Sequence, residues 1–296
     1  MNIRDSEEFK SWEQRYAEAI LEFKKNFPQA FKVLEVGGVH PDGNDPIENP
    51  YKNSELDNED FSNVGEHCVS VGICANKIAD KLLNSGVIDK EIYTRITERS
   101  LMHDANKRFE VLRKKSKGSE SSKGVYDKEA YKTMQILLEK QGVSDDLLEY
   151  IERAGKETGH GSLENFISLD ENGELILNPD RSLEEMIVHL ADDMTSSPLP
   201  GTKGDTKFVT TGERMKAGKF EERYHFLYKE GLGFDVEGNV VNVADCNEKN
   251  DELKEVKTYA EYQEEVAKLI CDFLKEKTGE EKNIDSEEYI KKIVNS

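Results

Sequence analysis

The chain has 296 residues, with 61 Asp and Glu against 41 Lys and Arg and a formal charge of −20. That length can bury a substantial core, and the acidic balance argues against sequence-independent binding to a nucleic acid backbone while leaving room for a local basic pocket. No apolar run approaches the roughly 18–20 residues that span a bilayer, the charged start MNIRDSEEFK lacks a secretory apolar stretch, and four cysteines without a CxxC pair fit reduced thiols; a cytoplasmic protein with no membrane partner is expected.

The chain reads as mostly helical. Phe9, Trp12, Tyr16, Ile20 and Phe23 recur at helical spacing over residues 6–26, with Pro28 just past the end. Residues 37–60 are rich in Gly, Pro, Asn and Asp and read as a long loop, with His40 exposed on it. Val64, His67, Val71, Cys74 and Ile78 line one stripe of a helix over 63–83, with Gly86 at its end. Cys68 and Cys74 read as small buried apolar residues on it. Ile92, Ile96, Leu101, Phe109 and Leu112 predict one helical stretch over 89–112 that contains His103 and Asp104. The segment KKSKGSESSKG, residues 114–124, is a polar insertion.

Helices follow over 127–141 and 144–157, divided by Gly142, with Ser144 as an N-cap. A hairpin is expected around Asn172-Gly173. Ser182 and Glu185 fit a capping box opening a helix over 182–194. Residues 195–211 read as a second loop, and helix resumes near Glu213. A second hairpin is signalled at Glu237-Gly238-Asn239, and Tyr259 through Leu274 carry a helical apolar pattern that packs on the parent domain. The expected fold is all-α, or α-dominated, with small peripheral β-hairpins. Residues 1–58 form an N-terminal helix and long loop packing on the core. Residues 59–200 form the helical core with its insertion at 114–124, and residues 201–296 a C-terminal helical extension of the same globule.

Six histidines occur in the chain, and four lie in or beside a set of clusters: His67 in GEHCVSVG, His103-Asp104 in LMHDANKR, His160 in KETGHGS, and Asp192 with His189 in IVHLADDM. Histidine and aspartate hold hard or borderline divalent metals, and such a metal activates water against a phosphorus centre. Each residue alone has a structural reading; the ordered set carries the signal. His189 reads as a residue behind the site or in the core. Asp193 points about 100° away from Asp192 on a helix and is the second choice as a ligand. Glu66 reads as a helix-surface residue.

The segments EHCVSVGICANKIAD, LMHDANK and IVHLADDM, with GHGS between the last two, resemble the HD-domain superfamily of metal-dependent phosphohydrolases over residues 60–195. The resemblance implies that His67, His103, Asp104 and Asp192 ligate one tightly held divalent ion: Mn, Fe, Co, Ni, Zn or Mg. Asp104 would alternatively act mainly on the nucleophilic water. Lys107 stands where the family's HDxGK lysine stands and would contact phosphate, although Asn106 replaces the usual glycine. His160 would be a phosphate contact, a proton donor to the leaving group or a weak second-site ligand, against an ordinary loop histidine beside two glycines. Lys203, Lys207, Arg214, Lys216, Lys219 and Arg223 either rim an anion pocket, with Arg214 on the substrate, or form a solvated face paired with Glu213, Glu221 and Glu222.

The implied activity is hydrolysis of a nucleotide or related small phosphate ester by metal-activated water. Two alternatives stand beside it: a cyclic-nucleotide or dinucleotide phosphodiesterase, and a non-catalytic metal-binding regulatory module. Asn106, Lys107 and Arg108 replace the acidic pair of the family's alarmone hydrolases, and a di-iron oxygenase needs a fuller histidine set.

Overall fold

The structure is a computed structural model. It describes residues 12–41, 61–116, 128–157, 160–197, 206–217, 225–245, 253–279 and 284–296. Most of the expected loop 37–60 and of the insertion 114–124 lies outside these residues, as do Lys203, Lys219 and Arg223.

The chain is predominantly helical, as its periodicity predicts. Helix α1 (Trp12–Asn26) is followed at once by α2 (Pro28–Gly37), so Pro28 opens a second helix rather than trailing the first. A proline in the first turn sacrifices no helical hydrogen bond. Gly38, left-handed at φ 66, closes α2. Next come α3 (Ser62–Asn84) and α4 (Lys90–Met102), the latter capped by Asp89, whose carboxylate accepts from the Ile92 N–H at 2.9 Å. Then α5 (Lys107–Ser116), α6 (Lys128–Lys140) and α7 (Asp145–Glu157) complete the first helical group.

A 3₁₀ turn at His160–Asn165 leads into the hairpin of β1 (Ile167–Leu169) and β2 (Leu175–Leu177), paired antiparallel with Ser168 opposite Ile176. Helix α8 (Leu183–Met194) carries the expected capping box: Glu185 N–H donates to Ser182 Oγ at 3.2 Å, and Ser182 N–H donates to Glu185 Oε2 at 2.9 Å. The expected loop 195–211 contains a short antiparallel pair, β3 (Thr195–Ser196) with β4 (Lys207–Phe208), and α9 (Thr211–Met215) follows. The second hairpin, β5 (Gly231–Phe234) with β6 (Val240–Asn242), gains a third strand, β7 (Lys254–Thr258), on the other side of β5. Helices α10 (Tyr259–Thr278) and α11 (Ser286–Asn295) end the chain.

Two buried apolar clusters share α3 and α4. One gathers α1, α2 and α5–α7 around Cys68, Val69, Leu101 and Met102. The other gathers α8–α11 and the small sheets around Val71, Cys74, Ile78 and Ile96. Trp12 stands edge-on to Phe208 at 5.7 Å, so the N-terminal helix also touches the C-terminal part of the chain.

The expected continuous helix over 89–112 is broken. Residues 103–106 form a tight turn closed by Ala105 N–H to Met102 O at 3.0 Å and Lys107 N–H to Asp104 O at 2.9 Å. In a continuing helix the Ser100 carbonyl would accept from the Asp104 N–H. Here the His103 ring takes that carbonyl, at 2.8 Å, and the Asp104 N–H reaches the Cys68 sulfur instead. His40, expected to be exposed, is buried at 7%, its ring 5.9 Å from that of Phe31.

Candidate metal centre

Three helices bring the site together. His67 lies in the second turn of α3, His103 follows the end of α4, and Asp192 lies in the last turn of α8. A Cβ built on Gly65 would stand 1.8 Å from the Val39 carbonyl oxygen, so only glycine lets the segment Val39–Pro41 cross α3 just before His67. Among the described residues, His67, His103 and Asp192 are the group whose ligand atoms all lie within 4.8 Å of one another. The two imidazole rings meet edge to face at 5.2 Å. Asp192 Oδ1 is 2.9 Å from His67 Nε2 and 3.7 Å from His103 Nε2.

The protonation pattern suits metal binding. His103 donates its Nδ1 proton to the Ser100 carbonyl, which leaves the Nε2 lone pair facing the group. That Nε2 atom is buried and has no hydrogen-bond partner among the described residues. An unsatisfied buried acceptor is costly unless something fills its coordination, and a divalent cation does so. Burial pulls the His103 pKa below its ordinary value, outweighing the attraction of Asp104 and Asp192, so the ring is neutral at neutral pH. Burial alone would raise the Asp192 carboxyl. The hydrogen bond from His67 and the charge of Arg214 lead the pull that outweighs it and holds that carboxyl well below the usual range. Two imidazoles and one carboxylate form a donor set for a borderline divalent ion, with coordination positions left for water and substrate. His67 Nδ1 lies 3.4 Å from Ser197 Oγ, a contact that no motif in the chain signals.

Asp104, expected as a fourth ligand, is not a member of the three-residue group. Its Oδ1 lies 3.7 Å from Lys107 Nζ, and its side chain is 30% exposed. Burial would raise its carboxyl, but Lys107, His103 and His67 together bring it below its ordinary value. Lys107 is 38% exposed and also approaches Glu110 Oε2, at 3.9 Å. His160 opens the 3₁₀ turn, and its side chain lies outside the described residues. Arg214, expected on the substrate, instead donates through Nη1 to the backbone carbonyl of Asp192 and stands 3.8 Å from Asp193 Oδ1.

His189 and Asp193 face away from the three-residue group. His189 stacks on Phe166 at 4.4 Å and lies 3.4 Å from Asp193 Oδ2. Gln263 of α10 donates to the same Asp193 oxygen and is 3.1 Å from His189 Nε2. Burial pushes the Asp193 carboxyl above its ordinary value, against the pull of His189 and Arg214. Glu66 is exposed, as expected. The buried thiol of Cys68 is pushed up by burial and by the Asp104 charge, so it stays protonated and inert beside the site. Comparison of the chain with protein-family models, curated proteins and solved structures found no match.

Proposed function

We propose that this protein is a metal-dependent phosphohydrolase of the HD type, acting on a nucleotide or related small phosphate ester. The observation that carries the reading is the unpartnered, buried Nε2 of His103, aimed at the same point as His67 and Asp192. These three residues would hold the ion. When bound, a divalent ion polarises a phosphoryl oxygen and lowers the pKa of water. Asp104, ionised and half-exposed beside the group, accepts a hydrogen bond from the attacking water and orients it. A carboxylate held below its ordinary pKa is a weak base, so orientation rather than proton abstraction is its main contribution. Lys107, tethered between Asp104 and Glu110, presents its ammonium to a phosphate as a point charge. Against a chain of −20, such a local cation is what draws an anionic substrate in.

The test is turnover of nucleoside mono-, di- and triphosphates, cyclic nucleotides and dinucleotides with Mn, Co, Ni, Mg or Zn, with Asp104→Ala run in parallel. The expected result is metal-dependent hydrolysis by the wild type, lost in the variant. Released inorganic phosphate identifies a monoester substrate, and a linear nucleotide identifies a diester. Stoichiometric metal with no turnover across the panel would contradict the catalytic reading and favour a regulatory metal-binding module.

A further inference from the structure

Asp192 and Asp193 are adjacent, equally acidic and both at the end of α8, yet they do opposite things. Asp192 joins His67 and His103. Asp193 is 1% exposed and turned into the protein, against His189, Gln263 and Arg214. Consecutive residues on a helix diverge by about 100°, so rotating the last turn of α8 would exchange the two carboxylates. The frayed end of a helix is where such rotation is easiest. Something must lock that turn, and Arg214 is placed to do it. Its guanidinium spans both residues: Nη1 donates to the Asp192 carbonyl, which also accepts from the Thr195 N–H at the helix C-terminus, and it approaches Asp193 Oδ1 at 3.8 Å.

We infer that Arg214 is the positioning residue of the metal centre, selecting Asp192 over Asp193 as the carboxylate ligand. This rests on the metal-binding reading of the three-residue group. Arg214 acts through the backbone carbonyl of Asp192 and the side chain of Asp193. The arginine is itself fixed by elements far along the chain. It lies in α9, whose start is set by a capping box, with the Thr210 N–H donating to Glu213 Oε2 at 2.8 Å and the Glu213 N–H donating to Thr210 Oγ1 at 3.2 Å. Glu213 in turn accepts from Lys291 of α11 at 2.8 Å. Gln263 of α10 grips the other oxygen of Asp193. Among the described residues, the C-terminal region therefore supports the metal centre without supplying a ligand to it.

The test is Co(II) titration of metal-stripped wild type, Arg214→Ala and Arg214→Lys, read by visible absorption, with the melting temperature of each as a check on folding. Partners behind a metal ligand are typically worth about ten- to a hundredfold in metal affinity. Arg214→Ala is expected to lose affinity in that range and to change the shape of the cobalt spectrum, because the carboxylate donor moves. Arg214→Lys is expected to lie between the two, since an ammonium cannot serve the carbonyl and the carboxylate as a planar fork does. A folded Arg214→Ala with wild-type affinity and spectrum would overturn the inference. Should Arg214→Ala fail to fold, wild-type affinity and spectrum in Arg214→Lys would overturn it. Failure of the wild type to bind cobalt would instead overturn the metal reading on which this rests.

Discussion

Gly37, the last residue of α2, lies against the backbone of Ala105 so closely that a Cβ there would stand 2.2 Å from the Ala105 carbonyl oxygen. Ala105 sits in the turn that carries His103 and Asp104. The end of α2 is thus a backstop for that turn, aided by Arg108, whose Nη1 donates to the Gly38 carbonyl at 3.3 Å. Gly37→Ala must push the turn away, because the atom it meets is backbone and cannot rotate aside. The expected cost is about 1–3 kcal/mol, the usual range for overpacking, together with weaker metal binding because His103 moves. Chemical denaturation and a manganese titration check both; unchanged values would show that the turn tolerates displacement.

His103→Ala separates the two roles of its ring. Without metal, the variant removes a buried unsatisfied nitrogen as well as some packing, so the metal-free proteins should differ modestly in stability. With metal the difference grows. At a metal concentration about 100 times its dissociation constant, the wild type gains about 2.7 kcal/mol by linkage, and the variant should gain almost none. Thermal melts with and without Mn or Co measure this directly. Equal metal-induced stabilisation of both proteins would exclude His103 as a ligand.

Arg99 and Glu185 form a buried pair across α4 and α8, 4.0 Å apart with side chains 3% and 5% exposed. Arg99 precedes His103 by one helical turn, so the pair fixes how the two ligand-bearing helices sit together. Arg99→Met removes the buried cation from a carboxylate that keeps the Ser182 N–H, at 2.9 Å, and Arg181, at 3.7 Å. Breaking a buried pair outright typically costs about 3–5 kcal/mol, and these remaining partners bring the expected loss to the low end of that range. The urea midpoint is the measurement, and a shift within the range of an ordinary surface substitution would count against this role.

Acid should loosen the support behind the centre. Glu213 is held below its ordinary pKa, first by its hydrogen bond from Lys291 and then by the Thr210 N–H. A depressed carboxylate contributes stability above its unfolded pKa, about 4.3 for glutamate. That contribution is lost as pH falls through the lower folded value. Stability should therefore decline with acidification below about 4.3, and Lys291→Met should flatten that part of the curve. Thermal melts of both proteins across the acid range decide it; parallel curves would remove Glu213 from the account.

The sequence was readable wherever local signals agreed. Ser182 and Glu185 announced α8, Asn172-Gly173 announced the first hairpin, and the apolar stripe through His67 announced α3. The misreadings came from tertiary contacts. No periodicity reveals that the His103 ring would claim the Ser100 carbonyl and end α4, because residues on both sides keep their helical spacing. Pro28 lies just past the end of α1, as read, but proline is equally at home in a helix's first turn, and it opens a second helix that the periodicity did not separate. His40 sits beside Gly, Pro and Asp, which suggested exposure, but Phe31 covers it. Three of the four residues expected as ligands, His67, His103 and Asp192, lie together, and their order along the chain is what singled them out. Arg214 was singled out as a basic residue near a phosphate site, whereas its partner is a backbone carbonyl, which leaves no trace in sequence.

The central claim is that His67, His103 and Asp192 hold one metal ion. Crystals of the wild type loaded with Mn, with diffraction collected at the Mn absorption edge, test it most directly. The expected result is a single strong anomalous peak bonded to the Nε2 atoms of both histidines and to an Asp192 oxygen, and no such peak in crystals of Asp192→Asn. A peak bound elsewhere, or none at saturating Mn, would contradict it.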